Sequence, residues 1–394
     1  MSRPRFLTLL LIVSLLLGGC TERREMNETN FVLGALFDYD AEKDKYEMYT
    51  QVAVSEAFSK MQSGGQLQET YLIYRGEADT VYGAVRDAAR NSARRLFWSH
   101  CDVYVMGKDL AQKGILPFLD FAHRDHELRS TAYIFVSDIP REKLLSIKDG
   151  QEKVPLMALK RLVLLGPKRH GETIPKRVIE VWKDQSMENP VYLVPMLSMK
   201  QPETRAVEEK TKFEMAGAAV FREDKMVGRL SPQETRGYLF VSGQIKNAVF
   251  PLQVHGKKIA VELIGSKAKI IPHIEDGNVA FRIEVKPQFN FGENDQPLNL
   301  ENQAFDKAAE NAFNGAVEQE IRKSIEQAQQ LKADYFNLAR EVQLADNKLW
   351  QQIRNQWAEE IFPDLSIEVM VQSQLLRTGL LIETNLKGGR AEGE

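Results

Sequence analysis

Lys257 to Lys286 reads KKIAVELIGSKAKIIPHIEDGNVAFRIEVK, and the spacing of its apolar residues decides the fold class. Over Lys257 to Ile264, Ala268 to His273 and Val279 to Lys286, apolar and polar residues alternate on several stretches, as in antiparallel strands with one wet face. The period then changes. From Asn299 and Glu301 to about Leu331 the residues Phe305, Ala309, Phe313, Val317, Ile321 and Ile325 recur at four-residue steps, which predicts a long helix. Each step advances about 40° beyond a full turn, so the stripe winds about 200° round the helix and should touch more than one neighbour. A coiled coil would keep a seven-residue repeat instead. Asp334 to Glu341 and Lys348 to Ile361 continue as shorter helices, Pro363 ends the last, and Ile367, Val369 and Val371 form a closing strand. Strands, then helices, then a strand after about residue 253 fit an α+β domain with helices on one face of its sheet.

Toward the N-terminus, Phe31 to Phe37 and Tyr46 to Val54 are β-rich, and Asp38 to Lys45 between them reads as a hairpin loop. A helix is predicted from about Thr80 to Leu96, with Val81, Ala84, Val85, Ala88, Ala89 and Ala93 on one face. Val103 to Met106 is a short strand. Lys108 to Lys113 is a short helix ending at Gly114, and Ile115 to Phe121 is another with Pro117 near its start. Thr131 to Val136 is strand-like, and Ala158 to Pro195 holds further β-rich pieces. Met199 to Glu209 is polar around Pro202 and reads as a linker. Ala216 to Phe221, Lys225 to Leu230 and Tyr238 to Ser242 are predicted strands. The expected fold is therefore α+β, with mixed and antiparallel sheets packed by helices in several domains. The boundaries expected are a signal peptide over 1–19, an N-terminal α+β domain over 20–204, a small β-rich middle domain over 205–252, and a C-terminal α+β domain over 253–394 whose tail is disordered from about 387.

The first residues set the compartment. Arg3 and Arg5 precede an apolar run from Phe6 to Leu17, which ends in Leu17-Gly18-Gly19-Cys20. This is the order of a signal peptide with a lipobox. A run of about 12 residues is too short for a spanning helix, which needs roughly 20. Cleavage would leave Cys20 as the first residue, its thiol carrying diacylglycerol and facing outward. The full chain holds 52 basic and 55 acidic residues; residues 1–19 include two arginines and no acid, so the mature chain has 50 against 55, net −5. A nucleic-acid partner is excluded by that balance. Once Cys20 is acylated, Cys101 is the one remaining thiol, so neither an internal disulfide nor a thiolate zinc site can form.

Two clusters invite chemistry. His100 beside Cys101 could be a nucleophile pair, but neighbours on a strand point to opposite faces and no third orienting residue is identifiable, so structural roles are favoured. His123, Asp125, His126 and Glu127 are metal-ligand types, yet Arg124 and Arg129 would repel a cation and compete for the carboxylates. Salt bridges and turn hydrogen bonds are the favoured use of that segment. No P-loop, Gly-x-Gly-x-x-Gly, His-Glu-x-x-His or Gly-x-Ser-x-Gly occurs in the sequence, so no cofactor or catalytic motif is read from it.

Trp98, His100, Asp109-Leu110-Ala111, Gly114, Asp120-Phe121 and Arg124-Asp125-x-Glu127-x-Arg129 form one continuous pattern. It resembles the Ger(x)C family, the lipoprotein C subunit of spore germinant receptors. The resemblance extends to Leu17-Gly18-Gly19-Cys20, Arg24-Glu25, Gln51, and Gly76 with Val81 to Ala84. Further on it takes in Gly217-x-Ala219-Val220-Phe221, Asp224-Lys225, Val227-Gly228-x-Leu230 and Glu234-Thr235-Arg236-Gly237, then Trp350, Trp357 and Gly379. Two departures are Cys20-Thr21-Glu22 where the family has Cys-Trp-Asp, and a Gln51 region without the usual proline. The resemblance implies three α+β domains in an elongated body. It further implies a non-enzymatic subunit at the spore inner membrane, beside polytopic A and B subunits, required for spore germination. No catalytic residue carries over.

Arg124, Asp125, Glu127, Arg129, Glu234 and Arg236 are candidate partner-surface residues because both turns are dense in charge, with fold maintenance as the competing role. The competing function is a substrate-binding lipoprotein of a transporter, for which two lobes with parallel sheets would be expected. A lipoprotein hydrolase would need a nucleophile or metal set that the sequence does not display.

Overall fold

The computed structural model describes residues 28–54, 70–147, 152–200, 212–294 and 303–377. The lipobox with Cys20, the core of the expected linker and Gly379 lie outside them. The first sheet holds nine strands: β1 (Thr29–Asp40), β2 (Lys45–Ala53), β3 (Tyr71–Ala78), β4 (Arg95–Phe97), β5 (Val103–Gly107), β6 (Tyr133–Ser137), β7 (Val191–Lys200), β8 (Lys212–Arg222) and β9 (Lys225–Leu230). Their order is β3-β2-β1-β5-β6-β7-β8-β9, with β4 on β1. The sheet is mixed: β1, β5, β6 and β7 run parallel, and β2, β3, β8 and β9 add antiparallel hairpins.

Its central strands are apolar on both faces because both are covered. Ala35, Phe37, Tyr104, Met106, Ile134 and Val136 point into a core under α1 (Val81–Arg90), α2 (Lys108–Lys113) and α3 (Leu116–Arg124). The alternate residues Leu36, Val103, Val105 and Phe135 meet α4 (Arg141–Ser146) and α5 (Pro155–Arg169) on the other side. α6 (Val178–Gln185) closes the first face with Val178 and Val181. Gly76 of β3 lets α1 lie directly on the strand, since a Cβ there would fall 1.9 Å from the Ala84 carbonyl oxygen.

The second sheet is β10 (Ala248–Val254), β11 (Lys257–Glu275), β12 (Asn278–Asn294) and β13 (Ser366–Val371), with β14 (Gln374–Arg377) also on β12. One face is covered by α7 (Pro232–Val241), α8 (Gln303–Gln330), α9 (Leu338–Ala345) and α10 (Asn347–Ile353). The six stripe residues of α8 are all buried. The winding stripe reaches several neighbours, with Phe313 5.0 Å from Phe250 of β10 and 4.8 Å from Phe289 of β12. Ala218, Val220 and Leu230 of β8 and β9 join this same core, so the two sheets share apolar packing.

Several local expectations change. The β-rich pieces expected over Ala158 to Pro195 are the helices α5 and α6, and the strand begins only at Val191. Leu, Met, Ala, Lys and Arg dominate α5 and favour a helix, with Pro155 in its first turn. The strand expected over Tyr238 to Ser242 is the end of α7, which starts in a capping box. Ser231 Oγ accepts from the Glu234 N–H at 3.3 Å, and a Glu234 carboxylate oxygen accepts from the Ser231 N–H at 2.6 Å. The helix from Thr80 stops at Arg90, because Arg95 to Phe97 leaves it to pair with β1. The two strands expected within 257–273 are one, irregular between Leu263 and Gly265. The segment 205–252 contributes β8 and β9 to the first sheet, α7 to the helical layer and β10 to the second sheet.

Candidate partner-contact site

The turn after α3 is held by paired charges. Arg124 Nε donates to both carboxylate oxygens of Asp120, at 2.8 and 2.9 Å, on an exposed flank. Asp125 caps the helix end, its carboxylate accepting from the Glu127 N–H at 2.8 Å. Glu127 is paired with Arg95 of β4, and Arg129 donates to Asp102 at 2.8 Å. Asp102 also accepts from Lys160 of α5 at 2.7 Å, so this carboxylate ties the turn to that helix. Arg124 faces solvent, while Glu127 and Arg129 reach back and pin the turn. His123 stacks on Trp182 at 4.2 Å. Among the described residues, no three His, Cys, Asp or Glu side chains are grouped to hold a metal.

Cys101 and His100 do not form a pair on a strand. His100 ends a short 3-10 turn and lies 5.2 Å from Phe31, whereas the Cys101 thiol is buried and donates to the Val103 carbonyl at 3.4 Å. Burial pushes that thiol up to about 12, which keeps it protonated at neutral pH.

Arg236 is the residue whose place differs most from expectation. It is turned inward, with 11% of its side chain exposed, so it does not form part of a contact surface. Its Nε donates to Glu320 of α8 at 2.7 Å, Nη2 donates to the other Glu320 oxygen, and Nη1 donates to Glu172 at 3.0 Å. The guanidinium lies 4.4 Å from the centroid of the Phe250 ring. Gly237 makes this approach possible, because a Cβ there would fall 2.2 Å from the Glu320 carbonyl oxygen. The run Glu234-Thr235-Arg236-Gly237 is thus a cap, a buried hydroxyl, an ion pair and a helix crossing in successive residues.

A second junction joins two distant motif pieces. Asp224, in the β8–β9 turn, accepts from the Ile115 N–H through its backbone carbonyl at 2.9 Å and from the Leu116 N–H through its carboxylate at 3.4 Å. Gly114 has φ +133°, and a Cβ there would meet the Asp224 carboxylate at 2.3 Å. Gly114→Ala should lower stability by about 1–3 kcal/mol from backbone strain alone. A shifted urea midpoint would check this, and Asp224→Ala in the same chain should not restore it, since φ remains positive.

Gln51 spans the ends of α4 and α5, donating to the Leu145 carbonyl and accepting from the Leu156 N–H, both at 3.0 Å. Trp357 Nε1 donates to the buried Asp334 carboxylate at 3.1 Å and packs 5.6 Å from Trp350. Sequence reasoning missed Glu47, whose fully buried carboxylate is paired with Arg75 at 2.6 Å and with Arg141. An acid inside a strand run was the signal available for it. These landmarks share one property: they join elements far apart in the chain, through close glycine contacts, buried side-chain hydrogen bonds or paired charges.

Comparison with known proteins gives that property a context. Residues 22–199 match the family described as "Spore germination protein N-terminal domain", and residues 216–379 match "Spore germination B3/ GerAC like, C-terminal". The chain is 22% identical to spore germination protein KC of Bacillus subtilis (strain 168), over 96% of this chain and 97% of that protein. It is also 22% identical to spore germination protein B3 of the same organism, over 93% and 95%. The crystal structure of the GerBC protein superimposes with a TM-score of 0.58 at 20% identity, covering 87% of this chain and 97% of that one, and so shares its fold. With both family domains present in order and the fold matched across them, the chain belongs to the Ger(x)C family of spore germination proteins.

Proposed function

We propose that this protein is the lipoprotein C subunit of a nutrient germinant receptor, held at the spore inner membrane by diacylglycerol on Cys20 and required for germination. It works without catalysis, as a folded body beside polytopic A and B subunits. The observation that carries this reading is the in-order match of both family domains across residues 22–379. The lipobox supports the anchor, and no helix among the described residues is long and apolar enough to cross a membrane in its place. The antiparallel β10-β11-β12 arrangement favours this reading over a transporter's binding lipoprotein with two parallel-sheet lobes.

The solvent-facing part of the Arg124 to Arg129 turn, with Arg124 and Arg129 exposed and Asp125 and Glu127 half-buried, and Glu234 at the start of α7 remain the proposed partner contacts. Affinity purification of the chain from spore membranes should recover A and B subunits, and its deletion should abolish the response to the cognate nutrient. Recovery of transporter components alone, with germination intact, would sink the proposal.

A further inference from the structure

The outward side of α5 carries a pattern that the core does not use. Leu164 and Leu165 are 45% and 40% exposed. They sit between Arg161 on one side and Lys168 and Arg169 on the other, at the three- and four-residue steps that place all five on one helix face. The helix, PLMALKRLVLLGPKR, holds four bases and no acid, inside a mature chain of net −5. Lys160 is paired with Asp102 and Arg161 with Glu152, whereas Lys168 and Arg169 form no ion pair among the described residues. Adjacent exposed leucines flanked by long basic side chains are the composition of a helix face lying at a lipid surface, where the bases reach the phosphates and the leucines enter below them.

The position of α5 fits the same partner. Its Leu156 packs where a Cβ on Gly34 of β1 would stand, at 2.7 Å. One turn later Lys160 reaches Asp102, whose N–H donates to the Leu33 carbonyl at 3.2 Å. The helix therefore advances toward the end of the sheet at which β1 begins. Eight residues separate Cys20 from Thr29, and such a stretch spans at most about 30 Å. A helix with its side chains is about 10–12 Å thick, so its outer face lies within that reach.

We propose that the Arg161–Leu164–Leu165–Lys168–Arg169 face of α5 is a second membrane contact, resting on the anionic phospholipid surface to which Cys20 is tethered. This rests on the tether reading above, and it gives the anchored body a defined orientation. A diacyl anchor alone fixes distance from the bilayer but leaves rotation free; a second contact removes that freedom.

The mature Cys20→Ala chain should partition onto vesicles of equal parts phosphatidylglycerol and phosphatidylcholine, and not onto phosphatidylcholine alone. Each base near an anionic surface contributes on the order of fivefold in partition, so Lys168→Gln with Arg169→Gln should lower it about 25-fold. Leu164→Ser with Leu165→Ser should lower it as well. If the untethered partition is too weak to detect, the mature chain can be coupled through the Cys20 thiol to a maleimide lipid, Cys101 being buried. A Leu164→Trp reporter should then be quenched by brominated phosphatidylglycerol in the same bilayer, and an unquenched reporter would overturn the contact. Variants that keep full vesicle contact but lose co-purification with the A and B subunits would also overturn it, assigning the face to an acidic protein segment. Acyl labelling of Cys20 in cells is read separately: its absence sinks the tether and leaves the vesicle result standing.

Discussion

Arg236→Met should destabilise the chain by about 3–5 kcal/mol at neutral pH, because it leaves a buried carboxylate without its cation. Glu320 is the carboxylate in question, with 12% of its side chain exposed and both oxygens engaged by the same guanidinium. Burial raises the Glu320 carboxyl above its usual value, and Arg236 opposes that rise. Removing the guanidinium moves it further up. An acid whose folded value lies above its unfolded one contributes stability that is complete below the unfolded value and fades as pH rises through the folded one. The deficit of Arg236→Met should therefore be largest at neutral pH and shrink on acidification into the carboxylate range. Urea titrations at both pH values test it, and an equal deficit at both would assign the loss to packing on Phe250 instead. Glu320→Gln added to Arg236→Met should recover much of the loss, as the stranded charge is then gone. Arg236→Lys should fall between, since a single ammonium cannot reproduce the fork that holds Glu320 and Glu172 together.

That cluster also shows where a sequence stops being legible. Helix α8 could be read because its burial follows its period: all six residues of the stripe are in the core. The alternation in β11 and β12 was visible for the same reason, with Val261, Leu263, Ile283 and Val285 inward and Glu262 and Lys286 outward. α5 misled because its apolar residues are too many for one face, two of them being left in solvent as Leu164 and Leu165. α7 misled because Tyr238 to Val241 is β-prone in isolation, while the decisive signal, Ser231-Pro232-x-Glu234, begins seven residues upstream. Charge-rich turns look alike in sequence whether they face water or each other. Arg124 and Arg236 sit in comparable runs, and only the positions of α8 and Glu172 turn the second one inward. Its orientation is a tertiary property, set by a helix that begins 67 residues later.

Cys20→Ala should release the protein from the membrane fraction of spores and remove most of the nutrient response. The two sheets and their shared core are built from residues 28 onward, so the variant should fold and its circular dichroism should match the parent. What it loses is confinement. Each buried CH₂ of an acyl chain contributes about 0.8 kcal/mol, so the two chains of the proposed anchor would hold the protein at the bilayer for far longer than weak protein contacts can. Tethering beside membrane-bound partners raises overall association by roughly 10²–10⁴ without any new contact. An interface too weak to assemble in solution then suffices in the plane of the membrane. Membrane fractionation and the loss of spore refractility measure the two consequences independently. Full germination from a soluble Cys20→Ala chain would refute the tether, because the interfaces would then be strong enough unaided. Loss of both retention and response, with recovery by a transplanted lipobox from another lipoprotein, would show that the lipid itself supplies the missing proximity.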